Sequence, residues 1–300
     1  MADSRAQAYA AKLNLLVSQA GELSPEVRRA ILKLLDDLNR EILADLAHTN
    51  LKSYSESSLK ALRAEVLRAM AQFRDAATHQ VNSYEDKAYK VAAASVDATV
   101  AAGTGTTLIQ PVIDRAALQV VQGYTADLIG GLTGDMGAKI NAAIQRGYLG
   151  RANLTQLVEQ IGTTLEGGKF SGLFSQVGEK AMSIATNEVM RIHSLASVAR
   201  IGDLATRHPG LKEIWKHIPV ALVPRVGHLL ADGQIRNPGE PFLVEGEELM
   251  YPRDPSGSAE NTINCHCLVL PHLDDDQLKP TDQERQLLKS YGLSVTTQAA

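Results

Sequence analysis

The residues best suited to chemistry in this 300-residue chain lie near its C-terminal end. The two cysteines, Cys265 and Cys267, are separated by one residue, and His228 lies upstream of them, beyond a loop rich in proline and glycine. If the cysteines lie on a strand, its period of two places both thiols on the same face. Thiolates and imidazole nitrogens are preferred zinc ligands, so the sequence predicts a metal site formed by these three residues.

A structural zinc site needs a fourth ligand, and the sequence leaves its identity open. The nearby candidates are Asp232, His217 and His272. His266, between the cysteines, would point to the opposite face of a strand and is a poorer ligand. Because the spacing differs from that of a zinc finger, the alternative interpretation is that both cysteines are small buried apolar residues.

The motifs of common catalytic sites are absent from the sequence. It contains no Gly-x-Ser-x-Gly nucleophile motif and no His-Glu-x-x-His pair, and Gly103-Thr104-Gly105 lacks the lysine of a phosphate-binding loop. The prediction is therefore that the protein is not an enzyme. The alternative is a zinc-dependent enzyme in which His228, Cys265 and Cys267 leave one zinc position open for water, with Glu247 or Asp232 as the general base.

Composition narrows the class of protein. The apolar content of 44% supports a real core, and the aromatic content of 4% means that Ala, Leu, Val and Ile must build it, which favours helix packing. A net charge of −4 speaks against a general polyanion binder. Two cysteines exclude a disulfide framework, which favours a reducing compartment. The sequence shows neither a secretory signal nor an apolar stretch of about 20 residues, so no membrane partner is expected.

Apolar residues at spacings of three and four predict helices up to about residue 210. Ser24-Pro25-Glu26 predicts the start of one helix, with Ser as the N-cap and Pro in the first turn. Longer helices are predicted over residues 58–102 and 175–206. Between them, residues 111–165 predict shorter helical pieces separated by glycines.

After Gly210 the pattern changes to that of short strands. They are predicted at residues 214–218, 220–223, 242–244 and 265–270, separated by loops rich in Pro, Gly, Asp and Asn. The fold class is therefore α+β: a long, mostly helical N-terminal region followed by a small α+β C-terminal module. The predicted domains are a helical arm and bundle over 1–210, a β-rich module over 211–273, and a C-terminal helix or tail over 274–300.

An ordered set of residues in the C-terminal third resembles the C-terminal domain of tailed-phage head morphogenesis proteins, the Mu-type minor head proteins. The set comprises a Trp strand, an Arg-x-x-His segment, an Asp-Gly turn, a loop with Asp-Pro and a closing Asn-Cys-x-Cys, preceded by a helix with a glutamate. The resemblance covers roughly residues 175–272. The matching positions are Glu188, Trp215, Arg225, His228, Asp232, Gly233, Asp254, Pro255, Asn264, Cys265 and Cys267.

The resemblance implies a minor structural protein of a phage head, present in few copies. Such a protein associates with the portal vertex and acts in procapsid assembly and in genome packaging or delivery. The implied partners are the portal protein, the major capsid protein or both. The implied location is the virion head, and the host cytoplasm during assembly. A separate hypothesis from the sequence is that the helix with Arg191, Arg200 and Arg207 faces packaged DNA. The net charge argues against strong binding, and the alternative is an ordinary solvated helix face.

Overall fold

Long helices make up most of the chain, and most of the short strands lie near its C-terminal end. The computed structural model describes residues 2–49, 56–106, 114–149, 154–165, 169–219, 225–278 and 286. The predicted α+β class, with helices first and a small strand-containing module last, is confirmed. No helix in these ranges is both long enough and apolar enough to cross a membrane.

The elements follow in chain order. The helices are α1 (Ala2–His48), α2 (Glu56–Thr104), α3 (Arg115–Leu149), α4 (Leu154–Ile161), α5 (Gly172–Ala205), α6 (Val226–Ala231) and α7 (Ala259–Thr262). The strands are β1 (Thr164–Leu165), β2 (Lys169–Phe170), β3 (Lys212–Lys216), β4 (Ile235–Arg236), β5 (Phe242–Val244), β6 (Glu247–Leu249) and β7 (Leu268–His272). Helices α2 and α5 lie close to their predicted bounds.

The predicted helix start at Ser24-Pro25-Glu26 is wrong, because Pro25 lies inside α1. A proline in a helix interior removes one backbone hydrogen bond and often ends the helix. Here Leu23 and Val27, on either side of the proline, are 1% and 0% exposed. Burial of the apolar stripe on both sides therefore outweighs the local cost of the proline.

The predicted interruptions at the glycines at 130, 131, 134 and 137 are also wrong, because α3 is one helix that includes them, whereas the short helix α4 agrees with the prediction of shorter pieces. Each glycine costs a helix only about 1 kcal/mol relative to alanine. Met136 and Ile140 are completely buried, and their packing stabilises the helix through this stretch. Gly147 has a specific use, since a Cβ there would lie 2.3 Å from the Leu157 side chain of α4.

The chain forms two compact units that are both discontinuous in sequence. Unit 1 comprises residues 1–22, 86–114 and 190–300, and unit 2 comprises residues 23–85 and 115–189. Helices α1, α2 and α5 contribute residues to both units. The predicted boundary near residue 210 falls within unit 1 and stays a prediction.

In unit 1, the start of α1 is joined to the last strand by Tyr9. Its hydroxyl donates to the carbonyl oxygen of Pro271 at 2.7 Å and accepts from the backbone N–H of Leu273 at 3.2 Å. Burial raises the pKa of this phenol to about 12. Gly103, near the end of α2, allows the close approach, because a Cβ there would lie 2.5 Å from the Leu273 side chain. Residues distant in sequence thus form one core.

The C-terminal part of unit 1 contains a three-stranded antiparallel sheet in the order β4–β3–β7. β3 is the middle strand, and its register pairs Lys216 with Leu268. The predicted strand over 214–218 corresponds to β3, which begins and ends slightly earlier. The predicted strand over 242–244 matches β5, which pairs with β6. The predicted strand over 220–223 and the tail beyond Leu278, except Gln286, lie outside the described residues.

Candidate metal centre

The three predicted metal ligands converge in unit 1. His228 comes from α6, and Cys265 and Cys267 come from the segment just before β7. Their ligand atoms all lie within 4.8 Å of one another. Nδ1 of His228 is 3.5 Å from Sγ of Cys265 and 3.4 Å from Sγ of Cys267. All three side chains are at most 4% exposed, so they form a buried cluster that could hold a metal ion.

The two cysteines lie before a strand rather than on it. β7 begins at Leu268, so the strand predicted from residue 265 starts too early. Asn264, directly before the pair, has a φ of 54°, a left-handed conformation that asparagine tolerates better than most residues. The predicted alternation is nevertheless present, because Cys265 and Cys267 are buried while His266 is exposed.

A buried arginine holds the backbone of this cysteine segment. Arg253 is 1% exposed, and its guanidinium donates to the carbonyl oxygens of Cys265 and Cys267, the latter at 3.2 Å. These carbonyls therefore bond to a side chain, which explains why the strand does not extend back to residue 265. The carbonyl oxygen of Arg253 in turn accepts from Nε of Arg191 at 2.8 Å. Nothing in the sequence pattern marks Arg253 as a buried residue.

His228 is positioned by the start of α6. The backbone N–H of Gly227 donates to the Glu245 carboxylate at 3.0 Å, and a Cβ at Gly227 would lie 1.8 Å from Cγ of Glu245. Arg225 donates to the carbonyl oxygen of Ile263 at 2.7 Å, which ties the helix start to the segment preceding the cysteines. In the Arg-x-x-His segment, Arg225 and Gly227 therefore fix the start of α6 and, with it, the position of His228.

The indole of Trp215 supports the other side of His228. Trp215 is completely buried, and its ring meets the imidazole of His228 edge-on, with centroids 6.2 Å apart. The ring of Phe242 packs against the indole at 5.4 Å. The three rings form the aromatic part of the module core, so the position of the imidazole is fixed by packing.

The Asp-Gly turn anchors β3. Gly233, with a φ of 82°, donates its N–H to the carbonyl oxygen of Trp215 at 2.9 Å. The Asp232 carboxylate accepts from the backbone N–H of His217 at 2.8 Å and from Nζ of Lys216 at 3.1 Å. Asp232 is therefore engaged at the strand end through both oxygens.

The three predicted candidates for a fourth ligand have different surroundings. Nδ1 of His217 lies 3.6 Å from Sγ of Cys267. His272 instead pairs with Asp274, at 3.2 Å between Nε2 and Oδ1. With Asp232 engaged by the strand end, His217 is the candidate whose ring contacts the cluster.

The remaining motif residues build loops or lie elsewhere. Asp254 is buried, and its carboxylate accepts from the backbone N–H groups of Met250 and Ser256 at 2.8 and 2.9 Å. Pro255, which follows it, is exposed. Glu188 is buried in unit 2. The aspartate therefore shapes the loop that leads from Arg253.

The two candidate general bases both have hydrogen-bonding roles. Hydrogen bonds from Ser258, including its backbone N–H at 2.9 Å, hold the pKa of Glu247 below its usual range. Asp232 is occupied as described above. In the described part of the chain, neither carboxylate belongs to the group of side chains that converge on a metal position.

The two thiols differ in acidity. A hydrogen bond from Cys267 holds the pKa of Cys265 well below its usual range, and a hydrogen bond with His228 and the positive charge of Arg253 act in the same direction. The same hydrogen bond, together with burial, raises the pKa of Cys267. The surroundings therefore favour loss of the proton from Cys265 over loss from Cys267, and a thiolate is the form of cysteine that binds metal.

A buried carboxyl group on β3 predicts a pH dependence. Glu213 is 2% exposed, and burial raises its pKa from 4.5 to about 8. Between these values the folded chain keeps a proton that the unfolded chain has lost. The free energy of unfolding should therefore fall by up to about 1.4 kcal/mol per pH unit as the pH rises through this window, and level off above it.

Glu213→Gln should remove this component of the slope and stabilise the protein at the alkaline end of the window. Urea unfolding of the wild type and of Glu213→Gln at several pH values between 4.5 and about 8 measures the difference in slope. All other titrating groups are the same in the two proteins. Identical slopes would contradict an ionisable, buried Glu213.

Comparison with known proteins gives one partial similarity. The chain is 31% identical over 111 residues to a Bacillus subtilis (strain 168) protein described as "Uncharacterized protein YqbB". The similarity covers 36% of this chain and 35% of YqbB, so the chain matches about a third of the length of that relative. No protein-family model matches, and no solved structure matches. The function must therefore be inferred from the residues themselves.

Proposed function

We propose that the chain is a minor structural protein of a tailed-phage head. In this proposal it associates with the portal vertex and acts in procapsid assembly and in genome packaging or delivery. Its partners are the portal protein, the major capsid protein or both, and it resides in the virion head after assembly in the host cytoplasm. The resemblance of its ordered C-terminal residues to Mu-type minor head proteins supports this assignment.

The observation that carries the proposal is that the C-terminal motif residues have scaffold roles within one unit. Trp215 fills the core, the turn at Asp232-Gly233 holds β3, and Asn264 leads the chain into the cysteine pair. The pair itself lies in a buried cluster. Residues used for packing, turns and ligand placement suit a structural protein better than a turnover site.

We propose zinc as the ion of the cluster. Two thiolates and an imidazole are a donor set that zinc favours. Zinc–sulfur and zinc–nitrogen bonds of about 2.3 and 2.05 Å at a tetrahedral angle place sulfur and nitrogen about 3.6 Å apart. The distances from Nδ1 of His228 to the two sulfur atoms, 3.5 and 3.4 Å, are close to this value. Nδ1 of His228 can form only one linear hydrogen bond, so hydrogen bonding does not explain why it lies close to both sulfur atoms. A metal ion bound by all three atoms does explain it.

The alternative is a zinc-dependent enzyme with His228, Cys265 and Cys267 as ligands. Three protein ligands are the number typical of catalytic zinc, which favours it. The burial of all three side chains and the engagement of Glu247 and Asp232 in other hydrogen bonds speak against it. Azide added to the cobalt-substituted protein distinguishes the two, because an exchangeable fourth position would change the visible spectrum.

The head proposal is tested by following the protein through particle purification. Heads, tails and soluble material from a producing host are compared by quantitative mass spectrometry, with the portal and major capsid proteins as internal references. We expect enrichment in heads together with the portal protein, at far lower copy number than the major capsid protein. Absence from heads at every stage, including procapsids, would contradict the proposal.

A further inference from the structure

We infer that His217 is the fourth ligand, which makes the centre a closed tetrahedral zinc site of two cysteines and two histidines. This inference rests on the zinc site proposed above and adds the residue that completes it. A site with four protein ligands leaves no position for water, so its role is to stabilise structure.

The register of the sheet places His217 beside the cluster. Lys216 and Leu268 are the last pair of the antiparallel β3–β7 ladder, and His217 and Cys267 are the next residues on the two segments beyond it. Sequence spacing alone contains no information about this pairing.

The ligand distances agree with a shared ion. Nδ1 of His217 is 3.6 Å from Sγ of Cys267, close to the value of about 3.6 Å expected between sulfur and nitrogen around zinc. The two distances to His228 are within 0.2 Å of this one. These contacts are three of the six edges of a tetrahedral ligand set. The group whose ligand atoms all lie within 4.8 Å of one another comprises His228, Cys265 and Cys267, so the ring of His217 has to move closer to His228 or Cys265 when the ion binds.

The surroundings hold His217 without competing for its ring. Its backbone N–H donates to Asp232, which fixes the strand end. Nε2 of His217 and Nε2 of His228 are both buried and have no hydrogen-bond partner among the described residues. Both rings thus direct Nδ1 at sulfur, and no other described group binds the opposite nitrogen.

Charge balance favours the same ligand set. Two thiolates neutralise the two positive charges of the ion, and two neutral imidazoles add none. A neutral centre suits a buried position, where an uncompensated charge is costly. An aspartate as the fourth ligand would instead leave a net negative centre, and Asp232 already binds Lys216 at 3.1 Å.

The test compares His217→Ala with His272→Ala in the full-length protein. His272 is the matched control, because it belongs to the same sheet but pairs with Asp274. Loss of a direct ligand should cost at least the upper end of the 10–100-fold range known for outer-shell partners, so we expect zinc affinity to fall by about 100-fold or more in His217→Ala. His272→Ala should bind zinc as the wild type does.

Two spectroscopic readouts keep the outcomes separate. X-ray absorption of the wild-type zinc protein should show two sulfur and two imidazole ligands, and cobalt-substituted His217→Ala should bind azide while the wild type does not. Wild-type affinity and spectra in His217→Ala, or a single imidazole in the wild type, would overturn the assignment of His217 and leave the three-ligand site intact. A wild-type protein that binds no zinc would overturn both the proposed zinc site and the assignment of His217 as its fourth ligand.

Discussion

Removal of zinc from the full-length protein should unfold the C-terminal module. Such a site does not exist in the unfolded chain, so the binding free energy of the metal contributes directly to folding; it is about 10–16 kcal/mol in zinc-finger peptides. The expected ion joins α6, the end of β3 and the segment before β7. Without it, two buried thiols and two imidazoles lose their common partner.

Trp215 provides a direct measurement of this unfolding. It is the single tryptophan of the chain, it is completely buried, and its ring contacts that of His228. Chelation should shift its emission to the red and increase hydrogen exchange over residues 211–273. Addition of zinc should reverse both changes.

Cys265→Ser and Cys267→Ser should each destabilise the C-terminal module without a chelator. A hydroxyl is a poor substitute for a thiolate at zinc, so both variants should melt at lower temperature and assemble poorly. His266→Ala is the matched control, because His266 lies between the cysteines but is exposed. Wild-type melting behaviour in both serine variants, measured under reducing conditions, would show that the cysteine pair does not hold the module together.

Arg253→Ala should have the second largest effect. The change leaves the carbonyl oxygens of Cys265 and Cys267 without their donor in a buried position, at about 1–3 kcal/mol for each unsatisfied group. It also opens a cavity where a nearly fully buried side chain had been. Together these losses predict a fall of about 3–5 kcal/mol in the free energy of unfolding. Arg253→Lys should recover only part of it, because an ammonium group lacks the planar fork that reaches both oxygens.

Arg225→Ala is the control for Arg253, since Arg225 donates to the single carbonyl oxygen of Ile263. Loss of one such hydrogen bond should cost about 1 kcal/mol. Denaturant unfolding in saturating zinc, followed by Trp215 emission, measures both variants under the same conditions. An equal fall in the free energy of unfolding in Arg253→Ala and Arg225→Ala would mean that Arg253 does not hold the cysteine segment as its contacts indicate.

The sequence predicted the elements whose pattern is local. Apolar spacing located α2 and α5, and the alternation around His266 placed both thiols on one side. It failed at Pro25 and at the α3 glycines, where burial of neighbouring apolar residues overrides weak local preferences. Those outcomes depend on what each helix packs against, which a single segment does not specify.

The candidate site shows the same limit. The ligand types identified His228, Cys265 and Cys267, but three candidates remained for the fourth position. The choice among them depends on the contact between His217 and Cys267 just beyond the β3–β7 ladder and on the engagement of Asp232, which are properties of the folded module. Arg253 was missed for a similar reason, because its contact with the cysteine carbonyls joins two separate loops.

The discontinuity of unit 1 determines when it can form during synthesis on the ribosome. All residues of unit 2 have been translated once Val189 is added, whereas Tyr9 must wait for Pro271, a partner 262 residues downstream. At about 5–20 residues per second, this delay is roughly 13–52 s. The metal ligands are also incomplete until Cys267 has left the exit tunnel. Unit 2 can therefore begin folding first, and the proposed zinc site can bind its ion only late in the maturation of the nascent chain.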